Sequence, residues 1–430
     1  MDYDYLFIYN DLRLGGIQTQ LLGVAKELRK KEKKVAILLH EEVYDNELYQ
    51  QLRAISDVFF WPAFRPNSLP KFLFCGKYLL PSLIYFRVDK IRKEIGSAKH
   101  VVGLSSIALF HCMILSDKGV FTNAKISTIA YHSLEFHIEK SDSFFIGKLL
   151  NFIKNNSDGI KFIATSQDTK EKIGNLLSGK NRDIDLIRCG IPVEGSFKPK
   201  LKNKPLRVLF IGRLVNFKSY CLKFLQVVKA LNSDPENPQL TYRIVGSGPL
   251  LDDIKSEILR LKIGDWVQLM PEQPYSSIGR LIDDSDCFFG SGTVLIEAAA
   301  RSCPAIVGIE SNPQVTTYGF LSDIDGVSIH EPNLKYVVRP IYNVVNSLVE
   351  MSNLQYNKLR KENFRKAEEF SWPTVVDSLE VALEERRVNS KIYRCNRRDL
   401  ANVYVALFFS LTIKIFNPNY KISKSYQVSE

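Results

Sequence analysis

The feature that most constrains this chain is a unit found near its start and again near its middle: a short apolar strand, a glycine-bearing turn, then a helix. Tyr5–Tyr9 (YLFIY) is followed closely by Gly15-Gly16 and a helical pattern reaching about Lys31, and Val35–His40 (VAILLH) supplies the next strand. A continuous apolar run suits a strand buried on both faces, and strand–helix–strand at this spacing predicts a parallel α/β unit. Further strands are expected at His100–Leu104, Lys125–Ala130 and Lys161–Ala164. A second series begins at Arg207–Gly212 (RVLFIG) and continues through Leu240–Gly246, Trp266–Met270, Cys287–Gly290 and Ala305–Gly308. Between the two series, FKPKLKNKP is polar and punctuated by lysine and proline, as a linker would be. A chain of 430 residues is too long for one ordinary core. Two successive doubly wound α/β domains are therefore expected, over residues 1–200 and 205–370.

Composition narrows the functional classes. The seven cysteines are scattered with no C-x-x-C pair, and the six histidines show no ligand spacing, which argues against a disulfide framework or a zinc site and favours a reducing compartment. The N-terminus is acidic with only a short apolar run, unlike a secretory signal, and no stretch of about 18 apolar residues predicts a membrane-spanning helix. A cytoplasmic protein is expected, at most peripheral on the inner face of the plasma membrane. The net charge of +11 is uneven: +7 over residues 1–200, −1 over 201–387 and +5 over 388–430. An anionic surface facing the first half and the tail would account for that, as would a plain solubility charge. No aromatic-basic motif accompanies the charge, so nucleic acid is not an expected partner. Two segments, Leu69–Lys93 and Ala401–Phe416, combine bulky apolar residues with basic ones within them or on their flanks. Each reads either as a membrane-interface segment or as a helix packed in the core or between domains.

Three places carry residue types suited to chemistry. In DLRLGGIQTQ, glycines between strand and helix let backbone N–H groups at a helix start face a phosphate or acceptor. In RVLFIGRLVNFKSY, Arg213 ends a strand and Lys218 precedes a helix, a pairing able to neutralise charge on a leaving diphosphate. In CFFGSGTVLIEAAARSCPAIVG, small residues Gly290–Thr293 expose backbone amides, and Glu297 lies in the first turns of the helix, placed to bind sugar or ribose hydroxyls. Asp284-x-Asp286 has the form of a metal-binding D-x-D, but it closes a helix and runs into a strand, so a capping role is expected and no metal.

Taken in order, these elements resemble the retaining GT-B glycosyltransferases of family four, also called group 1. The resemblance runs to about residue 387 through GGIQTQ, YHSLEF, FIATSQDTKEKI, IRCGIPVEGSFKP, GRLVNFKSY, YRIVGSGPLLDDI and GTVLIEAAARSCPAIV. FSWPTVVDSLEVAL is similar to the helix by which such enzymes cross back to the first domain, here residues 371–387, leaving 388–430 as a basic and apolar tail. The resemblance implies a GT-B fold: an acceptor-side first domain, a nucleotide-sugar-binding second domain and a cleft between them. It implies that Arg213 and Lys218 grip the donor diphosphate, that Glu297 binds the ribose, and that Gly16 lies by the phosphates or donor sugar. His132 would reach the transferring sugar, Gly246, Gly248 and Glu272 would lie near the base, and Gly290, Gly292 and Thr293 would hold the donor through their backbone. No cofactor is implied, the nucleotide sugar being a substrate.

The sequence also departs from the family. Phe289 stands where the first of two glutamates is usual, a G-x-G-T loop replaces the glutamate-bearing one, Ser219 replaces a glycine and Cys189 an asparagine. The expected function is sugar transfer, with retention, to a glycan or lipid-linked acceptor in bacterial surface polysaccharide synthesis. The alternative is a catalytically silent GT-B subunit that binds a partner enzyme.

Overall fold

The structure, a computed structural model, describes residues 2–13, 15–64, 87–137, 144–177, 184–193, 195–384 and 394–417. The chain divides into two units, Met1–Arg188 with Val375–Ser429, and Cys189–Thr374.

Among the described residues the first unit has seven parallel strands: β1 (Asp2–Tyr9), β2 (Val35–Leu39), β3 (Asp57–Phe60), β4 (Ser97–Gly103), β5 (Lys125–Ala130), β6 (Lys161–Ala164) and β7 (Asp185–Leu186). Their spatial order is β3-β2-β1-β4-β5-β6-β7, with Tyr5 opposite Val35 on one side and His100 on the other. Helices α1 (Gly16–Lys30), α2 (Asn46–Arg53), α3 (Val88–Ile95), α4 (Ser106–Asp117), α5 (Phe144–Asn156) and α6 (Gln167–Leu176) connect them. The all-apolar runs seen in the sequence became the central strands because both faces are covered, and every residue of β2 is buried. The edge strand β3, whose Val58–Phe60 are only partly buried, and the two-residue β7 were not marked in the sequence reading. Helix α4 is buried along all twelve residues, and the Ser105 hydroxyl caps it by accepting from the Ala108 N–H at 3.1 Å.

The second unit contains β8 (Leu206–Ile211), β9 (Leu240–Val245), β10 (Val267–Met270), β11 (Cys287–Gly290) and β12 (Ala305–Val307) in the parallel order β10-β9-β8-β11-β12. A small antiparallel pair, β13 (Thr316–Thr317) and β14 (Arg339–Pro340), stands apart from this sheet. Its helices are α7 (Tyr220–Leu231), α8 (Leu251–Leu261), α9 (Tyr275–Asp283), α10 (Thr293–Ala300), α11 (Ile341–Glu350) and α12 (Asn353–Glu368).

The linker expected over FKPKLKNKP is instead part of the second unit. Lys200 Nζ donates to the Asp283 and Ser285 carbonyls, and Lys202 Nζ to those of Leu348, Val349 and Met351 at the C-terminus of α11. Two lysines satisfying helix-end carbonyls hold this segment against the domain, and the second unit begins already at Cys189, with Ile191 buried in its core and donating to the Phe370 carbonyl at 2.8 Å. Asp286 is engaged in the same way. Its carboxylate accepts from Asn203 Nδ2 at 2.8 Å and from the Arg207 N–H at 2.9 Å, so it ties the start of β8 to the start of β11.

Helix α13 (Trp372–Glu384) leaves the second unit and from Val375 belongs to the first. Lys31 pairs with both Asp377 and Glu380, Tyr5 donates to Glu380 at 3.1 Å, and Glu384 receives Lys125 at 2.7 Å together with Lys99. Helix α14 (Arg397–Phe416) then lies along α5 in the same unit: Asn396 N donates to Asn156 at 2.6 Å, and Asn155 Nδ2 donates to Asp399 at 3.2 Å. Val403, Ala406, Leu407 and Ser410 on its inner face are buried. Of the segment Leu69–Lys93, residues 69–86 lie outside the described residues; the remainder opens α3, whose Ile91 is in the core.

Candidate active site

A doubly wound sheet reverses its strand order at one point, and the loops leaving the carboxyl ends of the strands beside that point open a crevice suited to a ligand. In the second unit the reversal falls between β8 and β11. The loop after β8 carries Gly212, Arg213 and Lys218; the loop after β11 carries Ser291 and Gly292 and feeds α10. The structure thus brings the cationic pair and the G-S-G-T segment to adjacent strand ends.

Lys218 is mostly buried, and its Nζ lies 3.9 Å from Glu310 Oε1. Burial holds the Lys218 ammonium below its usual range; Arg213 acts in the same direction and Glu310 opposes it. Arg213 itself is exposed. Beside them, α10 follows Gly292 (φ +76°) at its N-cap position with no side-chain cap, so its first-turn amides present the positive end of a helix. Glu297 follows one turn later. Burial raises its carboxyl above the ordinary range, while a hydrogen bond from Tyr275 works the other way.

The glycines of the second unit hold different positions. Gly246 (φ +152°) and Gly248 (φ +145°) pack against the loop after β8: a Cβ would stand 2.0 Å from the Gly212 carbonyl oxygen in the first case and 2.5 Å from that of Leu214 in the second. Leu214 N also donates to the Ser247 carbonyl at 2.8 Å. These two glycines therefore fix the path of the segment that carries Arg213 and Lys218. Glu272 lies further along the same edge, after β10, where Ser247 Oγ donates to it at 3.4 Å.

Phe289, at the position of the usual first glutamate, points into the core against Tyr220 and Phe224 at ring separations of 5.3 and 4.9 Å. A carboxylate reaches the crevice from elsewhere. Glu310, in the loop after β12, accepts from Ser291 Oγ at 2.6 Å, and Tyr220 donates to Ser291 at 2.8 Å. Sequence reasoning missed Glu310 and Tyr220, and took Ser291 only as part of the Gly290–Thr293 loop, not for its hydroxyl. The available signal was an acidic residue just beyond the end of a core strand, on the same edge as Lys218.

In the first unit the order reverses between β1 and β4. The loop after β1 is organised by the buried Asp11, which accepts from the Arg13 guanidinium at 2.5 Å and its N–H at 3.0 Å. Gly16 opens α1, and a Cβ there would meet nothing within 4 Å, so its surroundings are open. His132 follows β5; its Nδ1 accepts from the Leu134 N–H at 3.2 Å, which places the proton of the neutral ring on Nε2. Close by in sequence, Glu135 accepts from Ser106 N–H at 3.2 Å and Oγ at 3.1 Å at the start of α4. Burial, with Glu135 and Asp11 adding to it, raises the Tyr9 phenol above its usual range. The open depressions lined by Tyr3, Val35 and Asp57 and by Arg207, Thr241 and Val267 lie at the amino ends of the two sheets, the edge opposite these loops.

Residues 194–344 match the family described as Glycosyl transferases group 1. The Anabaena protein HepE, solved in complex with UDP and glucose, superposes with a TM-score of 0.58 at 16% identity, over 89% of this chain and 100% of that one. The lipopolysaccharide outer core galactosyltransferase WaaB superposes with a TM-score of 0.58 at 14% identity, over 90% and 99%. A glycosyltransferase from Rickettsia africae gives 0.58 at 16% identity, over 89% and 98%. No curated protein matches the chain by sequence. The fold class is GT-B, two doubly wound α/β domains in one chain.

Proposed function

We propose that this chain, a glycosyltransferase by the group 1 match across its second domain, moves a hexosyl unit from a UDP-sugar to a glycan or lipid-linked acceptor, retaining the anomeric configuration. The setting we favour is bacterial surface polysaccharide synthesis. The observation that carries the reading is the placement of Arg213 and Lys218 beside the uncapped α10 N-terminus at the strand-order reversal of the second sheet. UDP is favoured because the structurally similar HepE was solved with it, and the acceptor class because WaaB is named for lipopolysaccharide.

In this reading the bond between the sugar C1 and the β-phosphate oxygen breaks, and the nucleoside diphosphate leaves with the electron pair. The acceptor oxygen forms its bond to C1 on the same face, and its proton passes to the departing phosphate oxygen. Negative charge grows on the diphosphate as the bond lengthens, and Lys218, Arg213 and the α10 amides are held ready for it. A preorganised donor of this kind contributes on the order of 100- to 1,000-fold in rate. A buried ammonium has lost hydration, so an arriving diphosphate returns what burial removed and stabilises the protonated form. UDP affinity should therefore fall as pH rises through the depressed Lys218 pKa, and Lys218→Ala should abolish that slope.

The first test is thermal unfolding with UDP, GDP, CDP, ADP and dTDP, for the natural chain and for Glu297→Ala. A nucleotide at a hundred times its Kd stabilises by about 2.7 kcal/mol. A shift with UDP that Glu297→Ala loses supports the donor site, and Lys218→Ala should then cut turnover at least a hundredfold without unfolding. The burial of Phe289 keeps the silent-subunit reading in play. A folded chain that answers to none of the five nucleotides would favour that reading over transfer.

A further inference from the structure

Helix α14 is apolar on two sides. Its inner side packs on α5 through Val403, Ala406 and Leu407, and there the apolar character is accounted for. Its outer side should be polar if it faced only water. It carries Val405, Phe408, Phe409, Ile413 and Phe416 instead, with Phe408 63%, Phe409 54% and Phe416 84% exposed. At helical spacing Val405, Phe409 and Phe416 form one stripe, with Phe408 and Ile413 on its flanks. The pairing of Asn156 with Asn396 sets α5 and α14 antiparallel, so the start of α5 lies level with the second half of α14. Phe144, 50% exposed, stands there, with Lys148 Nζ 5.4 Å from its ring centre.

Charge indicates what covers this face. The exposed Arg398 continues the stripe of Val405, Phe409 and Phe416 towards the helix start. None of the described residues on the outer arc is a carboxylate; Asp399 turns aside to Asn155 and Asn156. Basic residues border the helix in sequence, Arg394 before it, Arg397 and Arg398 in its first turn and Lys421 and Lys424 after it, and residues 388–430 carry +5. Arg394 and Arg397 are engaged with Asp117 of α4, which leaves Arg398 on the outer side. Among the described residues no helix is long and apolar enough to cross a membrane. An apolar stripe with a cationic border on a helix fixed along its other side suits insertion to acyl-chain depth beneath anionic headgroups.

We propose that the outer face of α14, with Phe144, docks the first unit flat on an anionic lipid bilayer. Docking is independent of donor binding, so its test is independent of activity. The full chain is sedimented with vesicles of phosphatidylcholine alone and of phosphatidylcholine with about a third phosphatidylglycerol. The natural chain should pellet with the anionic vesicles and be released as salt rises. Phe408→Ser with Phe409→Ser should bind at least about tenfold more weakly, and Arg398→Glu more weakly as well. Both phenylalanines are exposed, so the double variant should keep its thermal transition, which is measured alongside. A natural chain that stays in the supernatant, or a folded double variant that binds like it, would overturn the proposal. Equal binding to both vesicle types would overturn the anionic requirement. Self-association lost in the double variant, without vesicle binding, would assign the face to a second copy.

Discussion

At the scale of single residues, the glycines assigned to the donor site separate into two kinds. Gly248 is required by the fold, since its φ is +145° and a Cβ would stand 2.5 Å from the Leu214 carbonyl oxygen. Gly16 has open space around it, so the fold gives no reason for glycine there. Gly248→Ala should cost about 1–3 kcal/mol and lower the melting temperature, because the loop bearing Lys218 must shift. Gly16→Ala should leave stability within about 0.5 kcal/mol. If Gly16 lies by the phosphates or donor sugar, it should still lower kcat/KM. Melting curves set beside turnover separate the cases: a Gly16→Ala enzyme with natural turnover removes that residue from the site. Lys218 shows the converse limit. Its type and position were readable in the sequence, but its burial and its Glu310 neighbour were not, because Glu310 arrives from the loop after β12, nearly a hundred residues later.

At the scale of elements, α13 depends on a charge cluster at its end. Lys125 and Lys99 draw the Glu384 carboxyl down to about 2, against the opposing effect of partial burial. A carboxylate with a depressed folded pKa contributes stability above its unfolded value, near 4.3, and loses it as pH falls towards 2. Glu384 is nearly half exposed, so solvent screening limits the contribution to about 1 kcal/mol. Glu384→Gln should therefore melt a few degrees lower at pH 7 and close to the natural chain near pH 2. A gap of the same size at both pH values would mean that packing, and not charge, is what the substitution removed. The central strands were legible to within a few residues because burial on both faces demands apolar runs. β3 and β7 were not: the three apolar residues Val58–Phe60 continue into Trp61 and Pro62 and do not by themselves bound a strand, and the two-residue β7 is specified by its neighbour.

At the scale of the whole molecule, the chain is not simply two halves in sequence. Val375–Ser429 belongs with the first unit, where α13 buries Val375, Val376, Leu379 and Leu383. A chain stopped after Thr374 leaves the second unit's residues intact and uncovers the first. Loss of that burial should destabilise the first unit by on the order of 5 kcal/mol or more. Unfolding followed with and without UDP should show the nucleotide-sensitive transition retained and the other moved well down or lost. A truncated chain with both transitions in place would refute this division.

The sequence alone determined two parallel α/β domains and the strand ends that lead to Arg213, Lys218 and the G-S-G-T loop; the helix that crosses back entered only through the family resemblance. The sequence could do so because apolar periodicity and glycine-bearing turns are local consequences of burial and backbone geometry. Only the tertiary structure decided that the lysine-rich segment after Cys189 is held to the second unit, that Phe289 belongs to the core, and that Glu310 stands beside Lys218. It also decided that the tail helix has one packed and one exposed apolar face. Each of these depends on which distant residue lies opposite, and a partner's identity is set by the fold that brings the two together.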